Sequence, residues 1–173
     1  MKNYDYRLLS PTEIPKAVEI MNLCWNNDYS PFAPHNYLPV QEVTNDITGW
    51  VTDTGADDWR ILFGAFVGNE MAGFIGASYA ELEDSPNGIE INYLFVQPQF
   101  RNRGIAGQLL SRVLNMYQKK KPWDEVIIYT FAQARSHQFY QKHGAKKLRS
   151  CLQELNHKPV QVDVYSILYR DYC

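Results

Sequence analysis

Ile89-Glu90-Ile91-Asn92-Tyr93-Leu94-Phe95-Val96, followed by Gln97-Pro98-Gln99-Phe100 and then Arg101-Asn102-Arg103-Gly104-Ile105-Ala106-Gly107, is the stretch that decides the fold. The first eight residues alternate apolar and polar, then become wholly apolar, as expected of a central strand. Beyond Gly104, the residues Ile105, Leu109, Leu110, Val113 and Met116 repeat at helical period. Lys119-Lys120-Lys121-Pro122 gives that helix a cationic last turn and a breaker. A buried strand thus runs through a short turn into the N-terminus of a crossover helix. Unpaired N–H groups of the first helical turn and the helix dipole favour an anion there. Gly104 and Gly107 let the backbone come close, and Arg101 or Arg103 adds charge. Two readings are open on these residues alone: a pyrophosphate cradle, and a plain strand-to-helix turn whose glycines relieve crowding.

Outward from this centre, the rest of the chain supplies alternating strands and helices. Upstream, Tyr4 to Leu9 reads as a strand, and Pro11 onward as a helix with Ile14, Ala17, Val18, Met21 and Cys24 on one face, ending near Asn26 or Asn27. Asp28 to Pro39 is an aromatic-rich loop punctuated by prolines, and Val40 to Thr52 a second helix. Ile61 to Val67 and Met71 to Glu83 form an antiparallel pair around Gly68-Asn69-Glu70. Downstream come a strand at Val126 to Phe131, a helix at Ala134 to His143 closed by Gly144, and two strands around Asn156-His157-Lys158-Pro159. The expected architecture is a single α/β (α+β) domain over residues 1–173, with a mixed sheet of about seven strands flanked by about four helices.

Bulk properties narrow the chemistry. A chain of 173 residues that is 45% hydrophobic is the size of one domain. A formal net charge of −2 provides no basic field for nucleic acid. No apolar run approaches the roughly 20 residues that cross a bilayer, and Met1 to Tyr6 has no signal-like core, so no membrane partner and a cytoplasmic location are expected. Cys24, Cys151 and Cys173 have no CxxC spacing, and the four histidines form no HxxxH pair, so no metal is expected.

Arg101, Gly104 and Ala106 satisfy the acetyl-CoA loop pattern Arg or Gln, any, any, Gly, any, Gly or Ala. With it, Phe139-Tyr140-Gln141-Lys142-His143-Gly144 resembles the Phe-Tyr-x-Lys-x-Gly that closes the last helix of the GCN5-related N-acetyltransferase (GNAT) superfamily. The element order matches that family over nearly the whole chain. The resemblance implies acetyl-CoA as acyl donor, held by residues 101–107 (Arg101, Asn102, Arg103, Gly104, Ile105, Ala106, Gly107) and by the splayed backbone of Leu94, Phe95 and Val96. It adds Tyr140, and Gln133 where the family commonly has asparagine. It further implies Glu90 as a general base, acting directly or through water, and Tyr140 as the acid that returns a proton to the departing thiolate.

The acceptor would lie among the first loop, second helix and final strands, so Tyr29, Phe32 and Tyr37 join Glu90 as substrate-binding candidates, with His35 and Trp50 nearby. Three functions fit: N-acetylation of a small-molecule primary amine, which leads; acetylation of a protein N-terminus or lysine; and a catalytically silent acyl-CoA-binding module. Members of the family often dimerise, and the final strands offer edges for a homodimer.

Overall fold

The computed structural model describes residues 3–32, 39–55, 57–155 and 157–172. Its centre is a seven-stranded sheet. The strands are β1 (Asp5–Leu8), β2 (Ile61–Val67), β3 (Glu70–Tyr79), β4 (Gly88–Val96), β5 (Glu125–Phe131), β6 (Lys146–Leu155) and β7 (Lys158–Leu168). Their spatial order is β1-β2-β3-β4-β5-β7-β6, and every neighbouring pair is antiparallel except β4 and β5. The single parallel pair requires a crossover, and α3 (Ile105–Lys120) provides it.

The sheet is covered on both sides, which is why β2 and β3 are apolar almost without interruption rather than alternating. On one face α3 packs Ile105, Leu109, Leu110, Val113, Leu114 and Tyr117 against Phe63, Ile75, Ile89 and Ile91. On the other, α1 (Ile14–Asp28) and α2 (Val40–Thr52) bring Val18, Ile20, Val43 and Ile47 onto Leu62, Met71 and Phe74. Tyr117 is fully buried, and its hydroxyl lies 2.7 Å from the Trp59 carbonyl and 2.8 Å from the Ala77 carbonyl, tying α3 to the lead-in of β2 and to β3.

The expected ranges for α2 and β2 coincide with the observed ones. Most other bounds move by a few residues, as at β1 and α1, and three elements differ more. β3 stops at Tyr79 rather than Glu83, because Ala80 closes on the Gly88 carbonyl at 3.0 Å and Glu81 to Ser85 fold into a turn on the Glu81 carbonyl. The helix expected from Ala134 is α4 (His137–Lys142), since Ala134 instead donates to Phe131 in a tight turn. Four helices were expected and a fifth, α5 (Tyr169–Tyr172), is present. It is a single turn, too short to show a period, and it docks Tyr169 and Tyr172 against Trp123 with ring centroids 4.9 and 6.2 Å away. Among the described residues, no helix is long and apolar enough to cross a membrane.

Candidate active site

The site begins with one extra residue in β4. Gly76 pairs with Tyr93 and Ala77 with Ile91, so Asn92 has no opposite number in β3. Such a bulge bends the strand and increases its twist. On the other side, β4 and β5 stay in parallel register only from Gly88↔Glu125 to Ile91↔Ile128. Past Ile91 the two strands part. The backbone of Leu94, Phe95 and Val96 therefore has no ladder partner on the edge facing β5, and a cleft of about 160 Å³ opens there. Asn92, Leu94 and Phe95 line it from β4, Tyr129, Thr130 and Phe131 from β5, Trp25 from α1, Tyr29 from the residue just past it, and Tyr140 from α4.

At the far end of β4 the chain makes a short 3-10 turn (Pro98–Phe100) and enters residues 101–104, where Asn102 (φ 60°) and Gly104 (φ 77°) are both left-handed. Alternation of this kind turns successive amides toward one point. The first bond of the new helix is Gln108 N–H to the Gly104 carbonyl, and the N–H groups of residues 102–107 donate to no backbone acceptor among the described residues. A side chain at Gly104 would meet nothing within 4 Å, so glycine is needed there for its conformation, and the space beside it is open. Free amides, a helix N-terminus and an unladdered strand edge fit a pyrophosphate with an amide-bearing chain attached.

Individual residues of this loop are placed more sharply than the pattern foresaw. Arg101 does not point its charge at the amides: its guanidinium makes a bidentate pair with Asp28 at 2.7 and 3.0 Å, and its Nε donates to the Val96 carbonyl at 3.0 Å. Arg103 is exposed, its guanidinium 5.7 Å from the Phe100 ring, and is the loop cation left to face an anion. Ile105 is a core side chain, 1% exposed, with only its backbone available to a ligand. Gly107 leaves room for His143, whose ring a β-carbon would meet at 3.3 Å. Gln133 is exposed on the turn before α4.

Glu90 lies beside the bulge, half-buried, and accepts a hydrogen bond from the Asn92 side-chain amide at 3.1 Å; Ser78 in turn donates to Asn92 at 3.0 Å. Burial first, and then the charges of Asp84 and Glu81, push its carboxyl above the usual range against the Asn92 bond. Asp84 behaves oppositely. Burial raises it, but hydrogen bonds from Tyr129 (2.6 Å) and Arg149 outweigh this and hold it below the usual carboxylate value. Tyr129, which burial and the bond to Asp84 push up to about 12, also receives Arg149 at 3.0 Å.

Tyr140 is 7% exposed, and its hydroxyl is raised by burial and then by Tyr29, so it stays protonated at any working pH. Tyr29, Phe32 and Trp25 meet Phe131 edge-on with centroids 5.4, 6.0 and 5.4 Å away, forming an aromatic wall across the cleft. Tyr37 and His35 lie outside the described residues. Trp50 stands apart, edge-on to Tyr93 on the α2 side. Asn92, Tyr129, Trp25 and Phe131 had not been singled out; Asn92, the last polar residue before the apolar run of β4, was the one local signal. Among the described residues, no group of three or more His, Cys, Asp or Glu side chains is arranged to hold a metal ion.

Residues 18–145 match the sequence model of the acetyltransferase (GNAT) family. The chain belongs to that family. It is thus an acetyl-CoA-dependent acetyltransferase, and residues 102–107 fall inside the matched stretch. Solved GNAT structures share the fold across nearly the whole chain. PaiA N-acetyltransferase from Thermoplasma acidophilum, in complex with coenzyme A, aligns at a TM-score of 0.68 and 18% identity, covering 96% of this chain and 99% of that one. A Salmonella typhimurium acetyltransferase that modifies the N-terminal serine of a 50S ribosomal subunit protein aligns at 0.75 and 14%, covering 97% and 96%. NAA60 from Arabidopsis thaliana, in complex with a bisubstrate analogue, aligns at 0.71 and 16%, covering 96% and 98%. No curated protein sequence matches the chain.

Proposed function

We propose that this GNAT protein is an N-acetyltransferase that moves the acetyl group of acetyl-CoA onto a primary amine of a small molecule, by direct attack of the amine on the thioester. The observation that carries the reading is the placement of Glu90, a carboxyl of raised proton affinity, at the bulge where β4 and β5 part. An alkyl amine of pKa about 10 is neutral in only about one molecule in a thousand at pH 7, a handicap of roughly 4 kcal/mol. Glu90 removes that proton, directly or through a water held with Asn92. Backbone N–H groups of Leu94 to Val96 hold the thioester oxygen as negative charge develops on it, a contribution of about 3 kcal/mol per well-placed donor.

Tyr140 serves the leaving group. A thiol has a reference pKa near 8.5, so a hydroxyl held above the ordinary tyrosine value donates a hydrogen bond to the departing sulfur more readily than it surrenders its proton. The aromatic wall of Trp25, Tyr29, Phe32 and Phe131 orients the acceptor. Its rings suit an alkylammonium group before deprotonation.

The Salmonella protein acts on a protein N-terminus, and a protein amine is the competing acceptor. An acceptor screen following thiol release from acetyl-CoA separates the readings: turnover with small amines supports the proposal, and turnover confined to peptides replaces it with the protein reading. Coenzyme A binding without turnover on either set leaves a silent binding module.

A further inference from the structure

The side chain of Arg101 reaches from the loop of residues 101–107 to another element. Its guanidinium crosses to Asp28, the last residue of α1, 73 positions earlier in the chain, with the two-pronged geometry that suits an arginine and a carboxylate. Its Nε holds the carbonyl of Val96, the final residue of β4, and the same carbonyl receives the Cys24 thiol at 3.4 Å. Three parts of the site therefore meet at one side chain: the anion-binding loop, the unladdered end of β4, and the C-terminal turn of α1. That last turn carries the acceptor wall, since Trp25 precedes Asp28 by three residues and Tyr29 follows it at once. Its backbone closes on Trp25, whose carbonyl receives the Tyr29 and Ser30 amides at 2.8 and 3.1 Å.

We propose that Arg101 and Asp28 are positioning residues that couple the two substrates. Arg101 does not neutralise the pyrophosphate; it links the loop conformation that binds acetyl-CoA to the helix end that carries Trp25 and Tyr29. Ordering the loop with the donor therefore orders the acceptor wall, and by reciprocity an acceptor seated on the wall tightens the donor. The coupling rests on the reading of residues 101–107 as the donor site.

The test uses coenzyme A as the probe and needs no acceptor. In the wild-type protein, saturating coenzyme A is expected to slow hydrogen exchange at the amides of Tyr29, Ser30 and Phe32 by at least about fivefold, the lower end of usual coupling. In Asp28→Asn, which keeps the side chain's shape, that slowing disappears while residues 102–107 remain protected. Loss of a partly exposed ion pair costs little, so the affinity for coenzyme A stays within about fivefold. Asp28→Glu, which preserves the charge, restores part of the slowing.

Two results overturn the proposal. One is slowing at Tyr29 to Phe32 that is the same in wild type and Asp28→Asn. The other is tighter coenzyme A binding in Asp28→Asn, which would make Arg101 a phosphate ligand released from its partner. If coenzyme A protects neither region of the wild-type protein, the reading of the loop as the donor site falls first, and the coupling falls with it.

Discussion

Replacing Glu90 with glutamine should make the protein more stable and less active at the same pH, a combination a purely structural glutamate would not give. The carboxyl is raised by burial and by Asp84 and Glu81, so folding favours its protonated form. Its contribution to stability is fully present below the unfolded value of about 4.3 and is lost as pH rises through the folded value. At pH 7 the ionised group is a net cost, and each unit of upward shift corresponds to about 1.4 kcal/mol. Glu90→Gln removes that cost and can still accept the Asn92 bond. The Tm at pH 7 should rise, by about 2–4 °C for each kcal/mol in a chain of this size. Toward pH 4, where the carboxyl becomes increasingly protonated, the difference should narrow.

Turnover should move the other way. A positioned general base contributes about 10²- to 10⁴-fold, or roughly 3–5 kcal/mol of barrier, so kcat/KM at pH 7 should fall by that factor. The deficit should narrow toward pH 9, where about a tenth of an amine of pKa 10 is already neutral. Initial rates of thiol release between pH 6 and 9.5, with thermal melts at pH 4 and 7, measure both effects. A variant that melts lower at pH 7 and keeps its rate within about threefold would remove Glu90 from the chemistry and make it a strand-end residue.

Tyr140→Phe should lower the single-turnover rate at saturating acetyl-CoA by about 10- to 100-fold, the worth of a hydrogen bond to a charged atom, with coenzyme A affinity unchanged in a binding titration. Gly104→Ala forces a side chain into the left-handed region at a cost of about 1–2 kcal/mol, so calorimetry should find a lower Tm and isothermal titration weaker coenzyme A binding. Tyr117→Phe leaves the Trp59 and Ala77 carbonyls without their buried donor and should cost about 1–3 kcal/mol in denaturant unfolding, with KM and kcat unaffected.

What the sequence disclosed follows the range of the forces involved. The periodicity of Ile105 to Met116 and the apolar run of Ile61 to Val67 are local, and both elements stand where they were expected. Gly104 was legible as a special position, although for close approach rather than for the left-handed conformation it adopts. The partner of Arg101 was not, since Asp28 meets it only through the tertiary fold, and a motif pattern records the arginine without its destination. Gly107 is a related case: a glycine that admits a neighbouring histidine and one that admits a ligand look alike in a string of letters. Asn92 lay in plain view, but the shift from alternation to a continuous apolar run at Tyr93 was taken as burial rather than as an inserted residue. Tyr129 carried no sequence signal, and its bond to Asp84 joins β5 to the turn after β3 only through the tertiary fold.

The bulge also gives β4 a change of parity. Before it, odd positions Ile89 and Ile91 face α3; after it, even positions Leu94 and Val96 do, while Tyr93 and Phe95 turn to the side of α1 and α2. Substitution tolerance along the strand must therefore slip phase by one residue at Asn92. A saturation library would read that slip as a break in an otherwise regular two-residue rhythm. Deleting Asn92 would restore the rhythm and turn every downstream side chain to the opposite face. The opening between the two half-sheets is thus encoded by the number of residues in one strand, which no exchange of one side chain for another can alter.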